Sequence, residues 1–178
     1  MRLFFRIILL VNITSYNLIS QNRLNPLEIP ILLSGTFGEF RKTHFHTGID
    51  IKTLGKEGIK VRAIDDGDLI RAKVSTSGYG KVVYVRHYDG TTSVYAHLKR
   101  FSPKIEKIIK EIQYKKKKYE IEKFFKEGEV KIKKSEIIGS SGNTGGSSGP
   151  HLHFELRNTK NEKPLNPLKY GFFVLDTI

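Results

Sequence analysis

Two groups of residues in this chain have the types and spacing to hold a metal ion. The first is His46-Thr47-Gly48-Ile49-Asp50. A straight strand would hold its end residues about 13 Å apart at ~3.3 Å per residue, too far for one ion to bridge. Gly48 has the conformational freedom to fold the segment back, bringing an imidazole and a carboxylate within the ~2.0–2.2 Å bonds that zinc requires. Alone, the spacing fits a turn with exposed polar residues equally well. The second group, His151-Leu152-His153-Phe154-Glu155-Leu156, alternates polar and apolar residues with period two. A half-buried strand would set His151, His153 and Glu155 on one face and anchor Leu152, Phe154 and Leu156 in the core. Its imidazoles would stand about 6.6 Å apart along the strand, so they converge on one ion or divide between ion and substrate. Cysteine is absent, which removes disulfide scaffolds, Cys-based zinc fingers and thiol nucleophiles, and any metal must sit on His, Asp or Glu.

Short β-branched and aromatic segments separated by glycine-containing turns must position these groups. Candidate strands are Ile59 to Ile64, Asp68 to Ser75, Lys81 to His87, Thr92 to His97, Val130 to Lys133 and His151 to Arg157. Most follow one another too closely for crossover helices, so the expected fold is all-β, mainly an antiparallel sheet. Asp89-Gly90 marks a hairpin, because both residues tolerate positive φ. One segment breaks the pattern. Ile105, Ile108, Ile109 and Ile112 recur at helical spacing after Ser102-Pro103, and an amphipathic helical insertion is expected across 103–128. Gly139 to Gly149, with five glycines and four serines, reads as a loop leading into the last strand.

At 178 residues the chain has room for one domain, expected over 21–178 with its core at 32–157. Residues 1–20 begin with Arg2, run through Leu3 to Phe5 and Ile7 to Val11, and turn polar. They read as a signal peptide or N-terminal anchor, which places the protein in the periplasm or cell envelope. The net charge of +13 is uneven, with 12 lysines against 6 acids between Lys104 and Lys134. No aromatic pattern of a nucleic-acid-binding motif accompanies the Lys115 to Lys118 run, so a nucleic-acid partner is not expected. The basic insertion suits an anionic envelope surface instead.

The motifs together identify a family. His46-Thr47-Gly48-Ile49-Asp50, Tyr95-Ala96-His97-Leu98 and Gly149-Pro150-His151-Leu152-His153-Phe154-Glu155 resemble, in order and context, the three motifs of the lysostaphin-type (LytM-like) zinc metallopeptidases, which cleave peptide bonds in peptidoglycan. The resemblance implies one Zn²⁺ per chain held by His46, Asp50 and His153, with His97 and His151 as catalytic histidines. It implies a metalloendopeptidase acting on peptidoglycan cross-links or stem peptides through a zinc-activated water. The alternative is an inactive domain of the same fold that regulates a cell-wall amidase. Glu155 is expected to orient its neighbour rather than bind metal, while His44 and His87 match no motif position. The chain departs from the family pattern at Ser135, where a turn glycine is expected, and in the length of 103–128.

Overall fold

A computed structural model describes residues 23–172, 174 and 175. Along them run β1 (Leu33–Gly35), β2 (Ile49–Lys52), β3 (Lys60–Arg62), β4 (Gly67–Val74), β5 (Lys81–His87), β6 (Thr91–Ala96), β7 (Arg100–Phe101), α1 (Pro103–Lys116), β8 (Ile121–Phe124), β9 (Lys131–Ile132), β10 (Ile137–Ser140), β11 (His151–Asn158) and β12 (Pro164–Leu165). The expected leader lies outside the described residues. No helix among the described residues is long and apolar enough to cross a membrane.

The large sheet has the order β1-β2-β11-β6-β5-β4-β8, with β12 on β11 and β9 on β4, and a smaller sheet has the order β3-β10-β7. All these pairings are antiparallel. The β5–β6 hairpin turns where Asp89-Gly90 predicts it. Gly90 takes φ 83°, and the Asp89 carboxylate accepts hydrogen bonds from the Thr91 amide and hydroxyl at 3.0 and 2.7 Å.

Period-two alternation fixes which face of β11 does what. Leu152, Phe154 and Leu156 are fully buried in the main core with Ile49, Ile51, Tyr95 and Val85. His151, His153 and Glu155 therefore project from the opposite face. Register then sets their neighbours, because His153 pairs with Asp50 on β2 and with Ala96 on β6. Strand pairing thus brings His153 and Asp50 together across a separation of 103 positions, as a candidate metal-binding pair.

The insertion differs from its expected form. The helix covers only Pro103–Lys116, burying Ile105 and Ile109, and ends where Lys117 adopts a left-handed conformation at φ 49°. Residues 121–124 are a strand, paired with β4 from Val74↔Ile121 to Arg71↔Phe124. Four consecutive lysines repel one another, while the edge of β4 offers unpaired backbone groups that a strand satisfies. Ser135 takes φ 70°, so the turn keeps the conformation expected of glycine with a serine in it.

Gly48 also acts differently from the sequence expectation. It does not adopt a positive φ. What it supplies is space, since a Cβ there would lie 2.3 Å from the Phe154 carbonyl oxygen and 2.8 Å from Glu155 Cγ.

Candidate metal centre

His46 enters the site from the segment before β2, where its amide donates to the Glu39 carbonyl at 2.8 Å. Its Nδ1–H donates to the Thr36 carbonyl at 2.8 Å, which leaves Nε2 to face Asp50 Oδ1 at 3.2 Å and His153 Nδ1 at 3.0 Å. His153 Nδ1 lies 2.9 Å from the same Asp50 oxygen. One atom from each of these three buried residues, all within 4.8 Å of one another, forms a group able to hold a metal ion. Two imidazole nitrogens and a carboxylate oxygen are a donor set that suits zinc.

Electrostatics agree with a cation at this point. Burial opposes ionisation of Asp50, but hydrogen bonds from His151, His153 and His46 outweigh it and hold the carboxyl far below the usual carboxylate range. Burial also opposes protonation of His153, yet Asp50 and Glu155 raise its pKa to about 8. Positive charge is therefore favoured where the three donor atoms meet.

A layer of further residues fixes each of the three. Arg41 Nη2 donates to Asp50 Oδ2 at 2.8 Å, which leaves Oδ1 facing the two imidazoles. Gly35 makes room for this pair, because a Cβ would fall 2.4 Å from Arg41 Nη2 and 2.6 Å from Asp50 Oδ2. Behind His153, the fully buried Glu155 accepts from His153 Nε2 at 2.8 Å, Thr47 Oγ1 at 2.7 Å, the Tyr79 hydroxyl and Arg157 Nε at 2.6 Å. Burial would raise the Glu155 pKa, but His153 and Arg157 hold it down at about 2. Burial and the Glu155 charge push the Tyr79 phenol up to about 12, so it remains a donor.

His97 and His151 flank the cluster, their ring centroids 4.8 Å apart. His97 follows β6 at φ 57°, a strained conformation for a non-glycine residue. Its Nδ1–H donates to the Thr144 carbonyl at 2.8 Å, and burial pushes its pKa down to about 4. His151 Nδ1 is bound by the Gly149 carbonyl at 2.9 Å, and its Nε2 lies 3.5 Å from Asp50 Oδ1. The loop from Gly139 to Gly149 thus supplies the carbonyls that orient both rings.

The five residues singled out in the sequence come together in one cleft of about 660 Å³, whose walls also include Arg41, Lys42, His44, Tyr79 and Ser147. His44 is exposed at its rim. His87 is buried elsewhere, satisfied by the Asp66 carbonyl at 2.9 Å and Ser93 Oγ at 2.7 Å. Sequence reasoning missed Arg41, Thr47, Tyr79 and Arg157. Only Tyr79 carries a signal, since it stands between Gly78 and Gly80, whose positive φ values of 57° and 63° force the chain to project it.

Fold and cleft together define a class: an antiparallel β-domain with a His-Asp-His centre able to hold one metal ion beside two further histidines. The pattern of peptidase family M23 matches residues 44–114 and 119–167, and the chain belongs to that family. The DD-carboxypeptidase/endopeptidase Mpg of Neisseria meningitidis is 36% identical over 123 residues, 69% of this chain and 22% of that protein. The murein hydrolase activator NlpD of Salmonella dublin is 31% identical over 123 residues, 69% of this chain and 25% of that protein. The chain thus spans a quarter or less of the length of these relatives. The catalytic domain of lysostaphin from Staphylococcus simulans superimposes with a TM-score of 0.54 at 26% identity, covering 78% of this chain and 88% of that one. The resemblance read from the three motifs is thereby met, as is the mainly antiparallel fold with one helix.

Proposed function

We propose that the chain is a zinc-dependent endopeptidase that hydrolyses peptide bonds in the cross-links or stem peptides of peptidoglycan. The observation that carries this reading is the convergence of His46 Nε2, Asp50 Oδ1 and His153 Nδ1 in the cleft that also holds His97 and His151. His46, Asp50 and His153 would hold the zinc, which would supply a Lewis acid and lower the pKa of a water toward ~7. With each Nδ1 held by a carbonyl, His97 and His151 present Nε2 to the cleft. A neutral imidazole there accepts a proton from the attacking water, and a charged one returns it to the leaving amine or stabilises the tetrahedral oxyanion. The two histidines act as a pair. Arg41 and Glu155 keep Asp50 and His153 aimed at the ion.

The second reading is an inactive domain that regulates a cell-wall amidase, and it has support in the similarity to a murein hydrolase activator. The complete donor set and the oriented histidine pair favour the enzyme. On this reading the peptidase domain occupies 21–178 and works in the periplasm or cell envelope. The exposed lysines of α1 face an anionic envelope surface.

The test measures zinc content of the purified protein beside digestion of cross-linked peptidoglycan with mass-spectrometric product mapping. Expected are one zinc per chain and chelator-sensitive cleavage, abolished in His153→Ala. In His97→Ala, zinc is retained and the rate falls about 10²–10⁴-fold. Absence of both zinc and cleavage would overturn the enzyme in favour of the regulator.

A further inference from the structure

We propose that Glu120, in the insertion between β7 and β9, is a positioning residue: it braces the β4–β5 loop from outside the cleft, and through that loop it holds His97 and His153 in place. The inference rests on the peptidase reading only for what those histidines do.

Glu120 is itself held at a fixed point. Gln113 of α1 donates through Nε2 to the Tyr119 carbonyl at 2.6 Å, and Ile121 on the other side is buried in β8 and paired with Val74. Between these two anchors, Glu120 Oε1 accepts from the Thr76 amide at 2.7 Å and from the Thr76 hydroxyl at 2.6 Å. These bonds hold the Glu120 carboxyl below its ordinary pKa, so they are made to an anion and are charge-assisted. Thr76 lies just past the end of β4, in the loop that leads into β5. Both Thr76 and Glu120 are exposed, so their contact fixes the loop and adds little to the packing of the core.

The inner side of the same loop faces the cleft. The loop is tied to itself, since the Ser75 amide donates to the Gly80 carbonyl at 3.1 Å, the Gly80 amide to the Ser77 carbonyl at 3.2 Å, and Ser75 Oγ to the Ser77 carbonyl at 2.7 Å. It therefore shifts as one body. Its Tyr79 carbonyl accepts from the His97 amide at 2.9 Å, and its Gly78 carbonyl from the Gly146 amide at 2.7 Å. The first bond supports the His97 backbone at its positive φ, and the second holds the segment whose Thr144 and Gly149 carbonyls orient His97 and His151. A Cβ on Gly145 would lie 2.3 Å from the Gly80 nitrogen and 2.4 Å from the Gly78 carbonyl oxygen, so the two loops are in direct backbone contact. The Tyr79 hydroxyl donates to Glu155, which in turn orients His153. A displacement of the loop thus reaches both histidines, and a misplacement of about 1 Å begun far from the chemistry costs up to ~10²-fold in rate.

The test compares Glu120→Ala with Glu120→Gln, which keeps a carbonyl acceptor for both Thr76 donors, and with Glu111→Ala, which removes another exposed acid of α1. Amide hydrogen exchange is followed by NMR at His97 and Gly146, whose amides the loop carbonyls receive, and at Val83 in the middle of β5. In parallel, kcat and KM of the zinc-loaded proteins are measured on a cross-linked peptidoglycan fragment. In Glu120→Ala, exchange at His97 and Gly146 is expected to quicken about tenfold, the effect of losing one hydrogen bond, while Val83 stays as it is. The kcat falls by about tenfold with KM little changed, because the reacting groups rather than the binding walls are displaced. Glu120→Gln restores most of both effects, and Glu111→Ala matches the unaltered protein. Unchanged exchange at His97 and Gly146 would overturn the brace. Equal acceleration at all three amides would overturn it too, by showing a general loss of stability, and faster exchange with an unchanged kcat would overturn the positioning role. If the unaltered protein cleaves nothing, the peptidase reading fails, and the exchange rates alone decide the brace.

Discussion

Glu155 Oε1 lies 2.8 Å from Nε2 of His153, on the side of the ring opposite Asp50. The contact fixes the tautomer in which Nδ1 offers its lone pair to a metal ion, and it raises the basicity of that nitrogen. Replacing Glu155 with Gln keeps the shape and removes the charge. Zinc affinity of Glu155→Gln is expected to fall about 10–100-fold, read by chelator competition. Unchanged affinity would show that the ring orients itself without this partner.

Tyr79 stands one step further from the His46-Asp50-His153 cluster. Its hydroxyl donates to Glu155 and lies 3.2 Å from Arg157 Nη2, and its ring stands 5.3 Å from that of His153. Tyr79→Phe keeps the ring and deletes the hydrogen bond. The expected cost is about 0.5–1.5 kcal/mol in unfolding free energy, with a smaller loss of zinc affinity than in Glu155→Gln. Denaturant titration and chelator competition measure the two effects. A larger loss of zinc affinity in Tyr79→Phe would reverse the assigned order of importance.

Gly48 gives a sharper prediction because the atom in its way is backbone. A methyl group 2.3 Å from the Phe154 carbonyl must push apart β2 and β11, the strands that carry Asp50 and His153. Gly48→Ala is expected to cost more than the ~1–3 kcal/mol typical of overpacking and to lose metal binding with it. Gly149→Ala is the control, since a Cβ there meets nothing within 4 Å. It should stay within about 0.5 kcal/mol of the unaltered protein in thermal unfolding.

How much of this was legible in the sequence depends on how local each signal is. The alternation of β11 and the Asp89-Gly90 turn are local, and the structure follows them closely. The three motifs named His46, Asp50, His97, His151 and His153, and strand register brings all five to one cleft. Short strands such as β1, β7 and β12 have two or three residues and exist because a partner strand completes their hydrogen bonds. The helix ran long in expectation because Ile121 and Phe125 extend its apolar spacing, whereas the free edge of β4 decides their conformation. Arg41 and Tyr79 were missed for a similar reason. The contact of Tyr79 with Glu155 spans 76 positions, and the flanking Gly78 and Gly80 mark a turn there without indicating that partner.

Remote from the cleft, His87 offers a test of pH dependence. It is 3% exposed, and burial holds its pKa below the ordinary 6.5. The unfolded chain takes up a proton at His87 near pH 6.5, while the folded chain resists it until a lower pH. The unfolded state thus binds more protons in this window, so the His87 contribution to stability is complete above pH 6.5. It declines as the pH falls, until the folded imidazole is itself protonated. A glutamine at this position retains a donor and an acceptor for Asp66 and Ser93 but does not titrate. His87→Gln should therefore cost about 1–2 kcal/mol at pH 8 and progressively less toward pH 5, measured by denaturant titration of both proteins. Every other group is common to both proteins and cancels in the difference. A cost that stayed constant or grew on acidification would mean that His87 is not held neutral by its buried site.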